Sequence, residues 1–157
     1  MCLMKQLLRV IFATLVAMVA VPAAAQVCIV TTVAPVFAPY SGNSTPGTGS
    51  VKVLCTSALL ARDVSYSINL DLGLNALGNT RRMAFLNGRL RYNLRCSAGT
   101  STPVWVDGAG GTCNRTGGQT GLIGSLLTTF TVYADIEPGQ YVPPGEYLDA
   151  VSVNILY

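Results

Sequence analysis

The chain has 157 residues, of which half are hydrophobic and 11% are charged. This length suits a single domain, whereas so small a charged fraction is unusual for a soluble protein that stays monomeric. The sequence contains no histidine, which excludes Ser-His-Asp and Cys-His catalytic arrangements.

Residues 1–25 have the pattern of a secretory signal peptide. Lys5 and Arg9 precede an apolar run, and an A-x-A cleavage signal ends at Ala25. The run has about 12 residues, too few for a membrane-spanning helix, which needs about 20. We therefore expect an exported mature domain over residues 26–157. Its net charge of +1 (eight basic minus seven acidic residues) gives no indication of a nucleic-acid partner.

Strand patterns follow one another through the predicted mature chain, separated by clusters of Gly, Pro, Ser and Asn. In the clearest one, apolar and polar residues alternate from Val64 to Leu74, which indicates a strand with one buried face. The number and spacing of the patterns are typical of a β-sandwich, and their alternation favours antiparallel sheets. The predicted strands are residues 27–37, 51–56, 64–74, 89–96, 126–136 and 147–157, with a short apolar segment at 103–106.

Four cysteines remain after the predicted cleavage. An even number in an exported chain indicates two disulfides, and the absence of His and of any C-x-x-C pair argues against a metal site. The simplest pairing joins neighbours in sequence, Cys28 with Cys55 and Cys96 with Cys113. The spacing leaves the other two connectivities open.

The charged and aromatic residues give no sign of catalysis or of a cofactor. The acidic residues are scattered and stand mostly beside turns, where we expect them to be solvated. Arg89, Arg91 and Arg95 form a stripe on one strand, for which a solvated outer face is favoured over a contact with lipid or polysaccharide. Trp105 is expected to pack over the core rather than to form an adhesive contact. The seven acidic residues are Asp63, Asp71, Asp107, Asp135, Glu137, Glu146 and Asp149.

Several short motifs occur in a distinctive order over nearly the whole predicted mature chain. They are an aromatic pair at Phe37 and Tyr40, GTGSVKVLC ending at Cys55, Arg82-Met83, YNL ending at Leu94, VWVDG ending at Gly108, TVY ending at Tyr133, and Gly-x-Tyr-x-Asp ending at Asp149. This order resembles the spore coat protein U domain family. Its Gram-negative members include subunits of archaic chaperone–usher pili.

The resemblance implies an immunoglobulin-like antiparallel β-sandwich that lacks its last strand. It further implies that a periplasmic chaperone fills the gap first and that a strand of a neighbouring subunit then replaces it at the outer-membrane usher. The expected product is a cell-surface fimbrium for attachment to a host or abiotic surface and for biofilm formation. No enzymatic activity and no nucleic-acid binding are expected.

The acceptor groove is expected beside the last predicted strand, because an uncovered apolar edge is an aggregation hazard that strand addition removes. The expected groove-lining and chaperone-binding residues share one face of that strand and are Val151, Val153, Ile155 and Tyr157.

The start of the predicted mature chain bears on the position in the fibre. Since two residues, Gln26 and Val27, precede Cys28, we expect no donor extension and hypothesise a tip position. The alternative is that residues 26–34 are themselves the donor. A different class of function also stays open, namely a self-sufficient exported sandwich that binds a carbohydrate or protein ligand. Such a protein would purify alone as a stable monomer.

Overall fold

The computed structural model describes residues 27–157, apart from the side chains of residues 58–60. The predicted signal peptide lies outside the described residues. In the part described, no helix is long and apolar enough to cross a membrane, and the secondary structure consists of six β-strands. These are β1 (Val27–Phe37), β2 (Thr45–Leu70), β3 (Arg81–Phe85), β4 (Gly88–Arg95), β5 (Arg115–Ile136) and β6 (Val153–Leu156).

The two longest strands, β2 and β5, form the centre of the fold. They pair antiparallel from Thr45 opposite Ile136 to Ile68 opposite Arg115, with register shifts on either side of Arg62. The two segments predicted at residues 51–56 and 64–74 are therefore one strand. A strand of 26 residues fits into the domain because the register shifts allow the β2–β5 pair to bend, as β-bulges do.

β2 ends at Leu70, so the prediction that this strand continues to Leu74 is wrong. The Asp71 side chain accepts a hydrogen bond from Gly73 N (2.9 Å), and Gly73 has a φ of +81°, a conformation that glycine adopts without steric penalty. The chain therefore turns after Leu70, and Leu74 is exposed.

The sheet order is β1-β2-β5-β4-β3, and β6 pairs antiparallel with the C-terminal half of β2. β3 and β4 form a hairpin that the sequence analysis did not identify. Beyond β3, an antiparallel bridge between Ala84 and Leu148 adds one further extended segment to the sheet. The all-β antiparallel fold is thus confirmed.

The core lies on the inner faces of the strands and includes Trp105. This side chain is fully buried and its Nε1 donates a hydrogen bond to Ile68 O at 2.9 Å, so the prediction that it packs over the core is confirmed. The other large buried side chains are Val51, Val53, Val64, Tyr66, Ile68, Leu70, Met83, Leu90, Tyr92, Leu94, Leu122, Val132 and Ile136.

The structure contains both disulfides of the sequence-neighbour pairing. Cys28 and Cys55 lie directly opposite each other on β1 and β2, with a Cα–Cα distance of 4.0 Å. Cys96 and Cys113 are 6.4 Å apart and join the end of β4 to the segment before β5. The first bond fixes β1 on the sheet, and the second closes the loop that carries Trp105.

The prediction that Arg95 and Asp135 are solvated is wrong. Arg95 Nε lies 2.5 Å from Asp135 Oδ1, and both residues are buried. The loop after β4 returns to bridge Arg95 with Val104 and covers this end of the strand, so that Arg95 also donates to Thr102 O. Elsewhere on the predicted stripe, Arg89 and Arg91 are exposed.

Candidate strand-binding groove

A groove of about 850 Å³ lies between the two free edges of the curled sheet. One side, the β1 wall, is formed by residues 32–40, and the other, the C-terminal wall, by residues 145–153. Between them the apolar core forms the floor, where Val51, Leu70, Met83, Leu90, Tyr92, Leu94, Val132 and Ile136 line the groove. An extended segment placed there would continue the sheet and cover the core.

The C-terminal wall presents alternate backbone groups to the groove. Its even-numbered residues bond to the side away from the groove: Leu148 with Ala84 of β3, and Ala150 and Ser152 with Leu74 and Asp71 of the loop after β2. Alternate residues of an extended edge point their N–H and C=O to opposite sides, so those of Tyr147, Asp149 and Val151 face the groove. Within residues 27–157, these groups make no backbone–backbone hydrogen bond. This is the pattern of an edge ready to accept a further strand.

The β1 wall is shaped by a bulge after Val33. Pro35 has no N–H to donate, and the chain passes so close to Gly49 that a Cβ there would lie 2.4 Å from Val33 O. The extra residue changes which positions face inward: Cys28 packs on the core before the bulge and Phe37 after it. Phe37 thereby reaches the groove, which a plain two-residue period would not predict.

A polar cluster joins the C-terminal wall to the floor. Asp149 accepts hydrogen bonds from the Tyr92 hydroxyl (2.8 Å) and from both the backbone N–H (3.2 Å) and the side-chain amide (3.1 Å) of Asn75. A Cβ at Gly73 would lie 2.1 Å from Asp149 Oδ2, so the carboxylate depends on a glycine beside it. Burial, together with the bond to Asp149, raises the pKa of Tyr92 far above its usual range. Its hydroxyl is therefore a neutral donor.

The loop beneath this cluster is held by Arg81, which is 1% exposed. Its guanidinium donates to Asp71 O (2.9 Å), Leu70 O (3.1 Å) and Trp105 O (2.8 Å). Burial lowers the pKa of Arg81, but an arginine remains charged at any physiological pH. Burial opposes ionisation of Asp71, yet N–H groups of Ser152 and Gly73 and the Arg81 charge outweigh it and lower the pKa of Asp71 below its usual value.

The sequence prediction placed four residues of one strand in the groove. Val151 and Val153 line it. Ile155 packs partly buried against the core from β6, and Tyr157 lies mostly exposed beside a second cavity at the other end of β1. The structure therefore brings the first two together and leaves the other two outside the groove.

Sequence reasoning missed the β1 wall and the polar cluster. The groove is lined by four residues of the family motifs, Phe37, Tyr40, Tyr147 and Asp149. Their place in those motifs was the signal that the sequence offered. Arg81 gave no such signal, because an arginine in a strand is ordinarily solvated. Within residues 27–157, no group of three or more His, Cys, Asp or Glu side chains could hold a metal ion.

Fold and groove together define an incomplete antiparallel β-sandwich whose core is open between two sheet edges. The Spore Coat Protein U domain matches residues 13–154, and the chain belongs to this family. Among curated proteins, none matches the chain.

Solved structures that are similar to the chain include two chaperone–subunit complexes. One chain of the CsuC–CsuE chaperone–tip adhesion subunit pre-assembly complex, from archaic chaperone–usher Csu pili of Acinetobacter baumannii, is 18% identical with a TM-score of 0.58, over 85% of this chain and 40% of that one. One chain of a chaperone–tip adhesin complex of CFA/I fimbriae is 14% identical with a TM-score of 0.42, over 80% of this chain and 40% of that one. This chain thus spans about two fifths of either. The first likeness supports an incomplete immunoglobulin-like sandwich.

Proposed function

We propose that the protein is a structural subunit of a surface pilus built by the chaperone–usher pathway, and that a β-strand of another polypeptide completes its sandwich. The observation that carries this proposal is the groove, where an edge with free N–H and C=O groups borders an apolar floor. Backbone hydrogen bonds would give the inserted strand its affinity, and alternate side chains would enter the floor. This process involves no catalysis.

The free energy that insertion of a strand would release is large enough to make the subunit depend on a partner. Five inserted apolar side chains that bury about 100 Å² each would contribute roughly 12 kcal/mol at about 25 cal/mol/Å², before the costs of association. Typical domains are stable by about 5–15 kcal/mol. An unfilled subunit is therefore expected to lack a substantial share of its final stability and to aggregate through its open edge.

The proposed partners act in sequence. Residues 1–25 would direct export, and the domain at residues 26–157 would meet a periplasmic chaperone, then the outer-membrane usher and a neighbouring subunit. Val151 and Val153 would contact the incoming strand directly. Ile155 and Tyr157 continue the same C-terminal segment, where a partner longer than the groove would reach them.

We also propose a position at the fibre tip, with a role in attachment and biofilm formation. Residues 27–33 pair with β2, and Cys28 is cross-linked to Cys55. This supports a subunit that accepts a strand but does not give away β1.

Refolding tests the strand-accepting function. The exported protein is unfolded with its disulfides intact and refolded with a synthetic peptide of alternating Thr and Val, as long as the C-terminal wall. We expect the peptide to increase the recovery of monomer in size-exclusion chromatography. A peptide of the same composition with its valines in one block is the control, because its apolar side chains cannot all face the floor.

Two variants locate the binding site. Val151→Asp places a charge beside the apolar floor and should abolish the gain from the peptide, because a charge is costly to bury without a partner. Ile123→Asp changes an exposed residue outside the groove and should leave the gain intact. A stable monomer that forms without peptide and ignores it would support the self-sufficient sandwich instead.

A further inference from the structure

We propose that Asp149 is a positioning residue for the incoming strand. It fixes the C-terminal wall against the floor, so that the backbone groups of Tyr147, Asp149 and Val151 stand in line for the partner. This inference rests on the proposed strand-accepting function and names the part of the groove that sets its geometry.

The C-terminal wall needs such a fixing point because few backbone bonds hold it. Between Tyr147 and Val151, the backbone bonds are the pair to Ala84 of β3 from Leu148 (2.8 and 3.1 Å) and one from Leu74 N, in the loop after β2, to Ala150 O (3.1 Å). The regular ladder with β2 begins at Val153. The stretch that must pair with a partner is thus held by three backbone bonds.

Asp149 supplies three hydrogen bonds at this stretch, and they reach two separate anchors. Tyr92 is buried in β4, and Asn75 lies on the loop that Arg81 holds from below. A carboxylate that accepts from both anchors determines the height of the wall above the floor and its separation from the loop after β2. Bonds from neutral donors to a charged acceptor are among the stronger ones.

The arrangement also explains the glycine at position 73. The carboxylate occupies the space that a Cβ would fill, at 2.1 Å, so any side chain at Gly73 would displace Asp149 from Tyr92. Asp149 contributes a backbone edge to the groove and at the same time locks that edge, which a solvated turn residue would not do.

The test measures how fast a fluorescent copy of the alternating peptide leaves the assembled complex when unlabelled peptide is added. Loss of the carboxylate in Asp149→Ala should accelerate release about tenfold, the effect of losing a hydrogen bond to a charged group. Asp149→Asn keeps an acceptor for Asn75 but turns an amide NH2 toward the Tyr92 hydroxyl, so its release rate should lie between those of Asp149→Ala and wild type.

A matched pair of conservative variants guards against a general loss of folding. Tyr92→Phe removes the hydroxyl that binds Asp149 and should accelerate release several-fold. Tyr66→Phe removes an equally buried hydroxyl that, within the described residues, has no hydrogen-bond partner, and should leave release within about twofold of wild type. Hydrogen exchange in the complex should show the Val151 amide protected in wild type and Tyr66→Phe but not in Asp149→Ala.

The outcomes separate this inference from the function on which it rests. If the alternating peptide never binds the wild-type protein, the strand-accepting function fails. If it binds, and Asp149→Ala lowers the urea midpoint while peptide release and Val151 protection stay as in wild type, Asp149 is a stabilising residue only and the positioning role is overturned.

Discussion

Leu86 stands in a backbone conformation that a leucine seldom adopts. It lies in the two-residue turn between β3 and β4 with a φ of +48°, and it is 82% exposed. Among residues 27–157, it is the one non-glycine residue with a positive φ. Side chains of L-residues disfavour this region by about 1–2 kcal/mol, and an exposed leucine has no packing to offset that penalty.

We therefore expect Leu86→Gly to stabilise the protein. The relief of strain exceeds the conformational entropy that a glycine loses on folding, and the net gain should be about 0.5–1 kcal/mol. Urea unfolding monitored by tryptophan fluorescence would measure it. Leu74→Gly is the matched control, since Leu74 is equally exposed but has no positive φ, and this change should destabilise by a similar amount. Equal losses in both variants would contradict the strain at Leu86.

Single residues show how far sequence reasoning reaches. Trp105 was placed correctly, because a large apolar ring is buried whichever loop carries it. Arg81 and Arg95 were not anticipated, since their burial depends on acceptors brought from distant segments: Asp71 and Trp105 carbonyls for one, the Asp135 carboxylate for the other. No local pattern encodes such partners, and a charge in an alternating strand is predicted to face water.

At the level of elements, β1 owes its place to Cys28–Cys55 as well as to its backbone bonds with β2. The strand has one neighbour, and its second half is a wall of the groove. The other disulfide, Cys96–Cys113, lies away from the groove lining. Removing either disulfide is the same chemical change, but only Cys28–Cys55 holds a strand that forms a wall of the groove.

We expect removal of either disulfide to destabilise the fold, but only removal of Cys28–Cys55 to weaken strand binding. The closed segments span 27 and 17 residues, for which chain entropy gives losses of about 3.5 and about 3 kcal/mol. The double variant Cys28→Ser/Cys55→Ser should also release the alternating peptide faster, because the β1 wall loosens. Cys96→Ser/Cys113→Ser should release it at the wild-type rate. Equal release from both would show that β1 holds its position without the bond.

The element predictions succeeded where a strand has one buried face and ordinary turns at its ends. Residues 27–37 agree with β1, and 89–96 agree with β4 within one residue at either end. They failed for β2, since a bent strand in the middle of a ribbon looks like two strands with a turn between them. β3 was missed because its five residues are too few to show a period.

On the scale of the whole molecule, the groove arises from topology and not from any one motif. After β5 the chain returns along β3, where Leu148 bridges to Ala84, and then joins β2 through β6. The other side of residues 147–151 stays without a neighbouring strand and faces β1. The sequence predicted an incomplete sandwich through its family resemblance. It could not show that the opening lies opposite residues 32–40, because the order of strands at the edges depends on contacts between distant segments.

The same topology bears on where the subunit stands in a fibre. A shaft subunit must both accept a strand and give one to the next subunit. Residues 27–33 are engaged with β2 through a continuous register, and Cys28 is bound covalently, so donating this segment would require the sheet to open and the disulfide to break. An oxidising compartment, through which an exported subunit would pass, preserves such a disulfide.

The proposed tip position places the protein at one end of the fibre. Quantitative mass spectrometry of purified fibres should find it at a small fraction of the repeating subunit, and antibodies against an exposed tag should label fibre ends. An antibody against the repeating subunit serves as the control and should label the whole length. Labelling along the shaft, with abundance equal to the main component, would mean that β1 or a segment before it is donated after all.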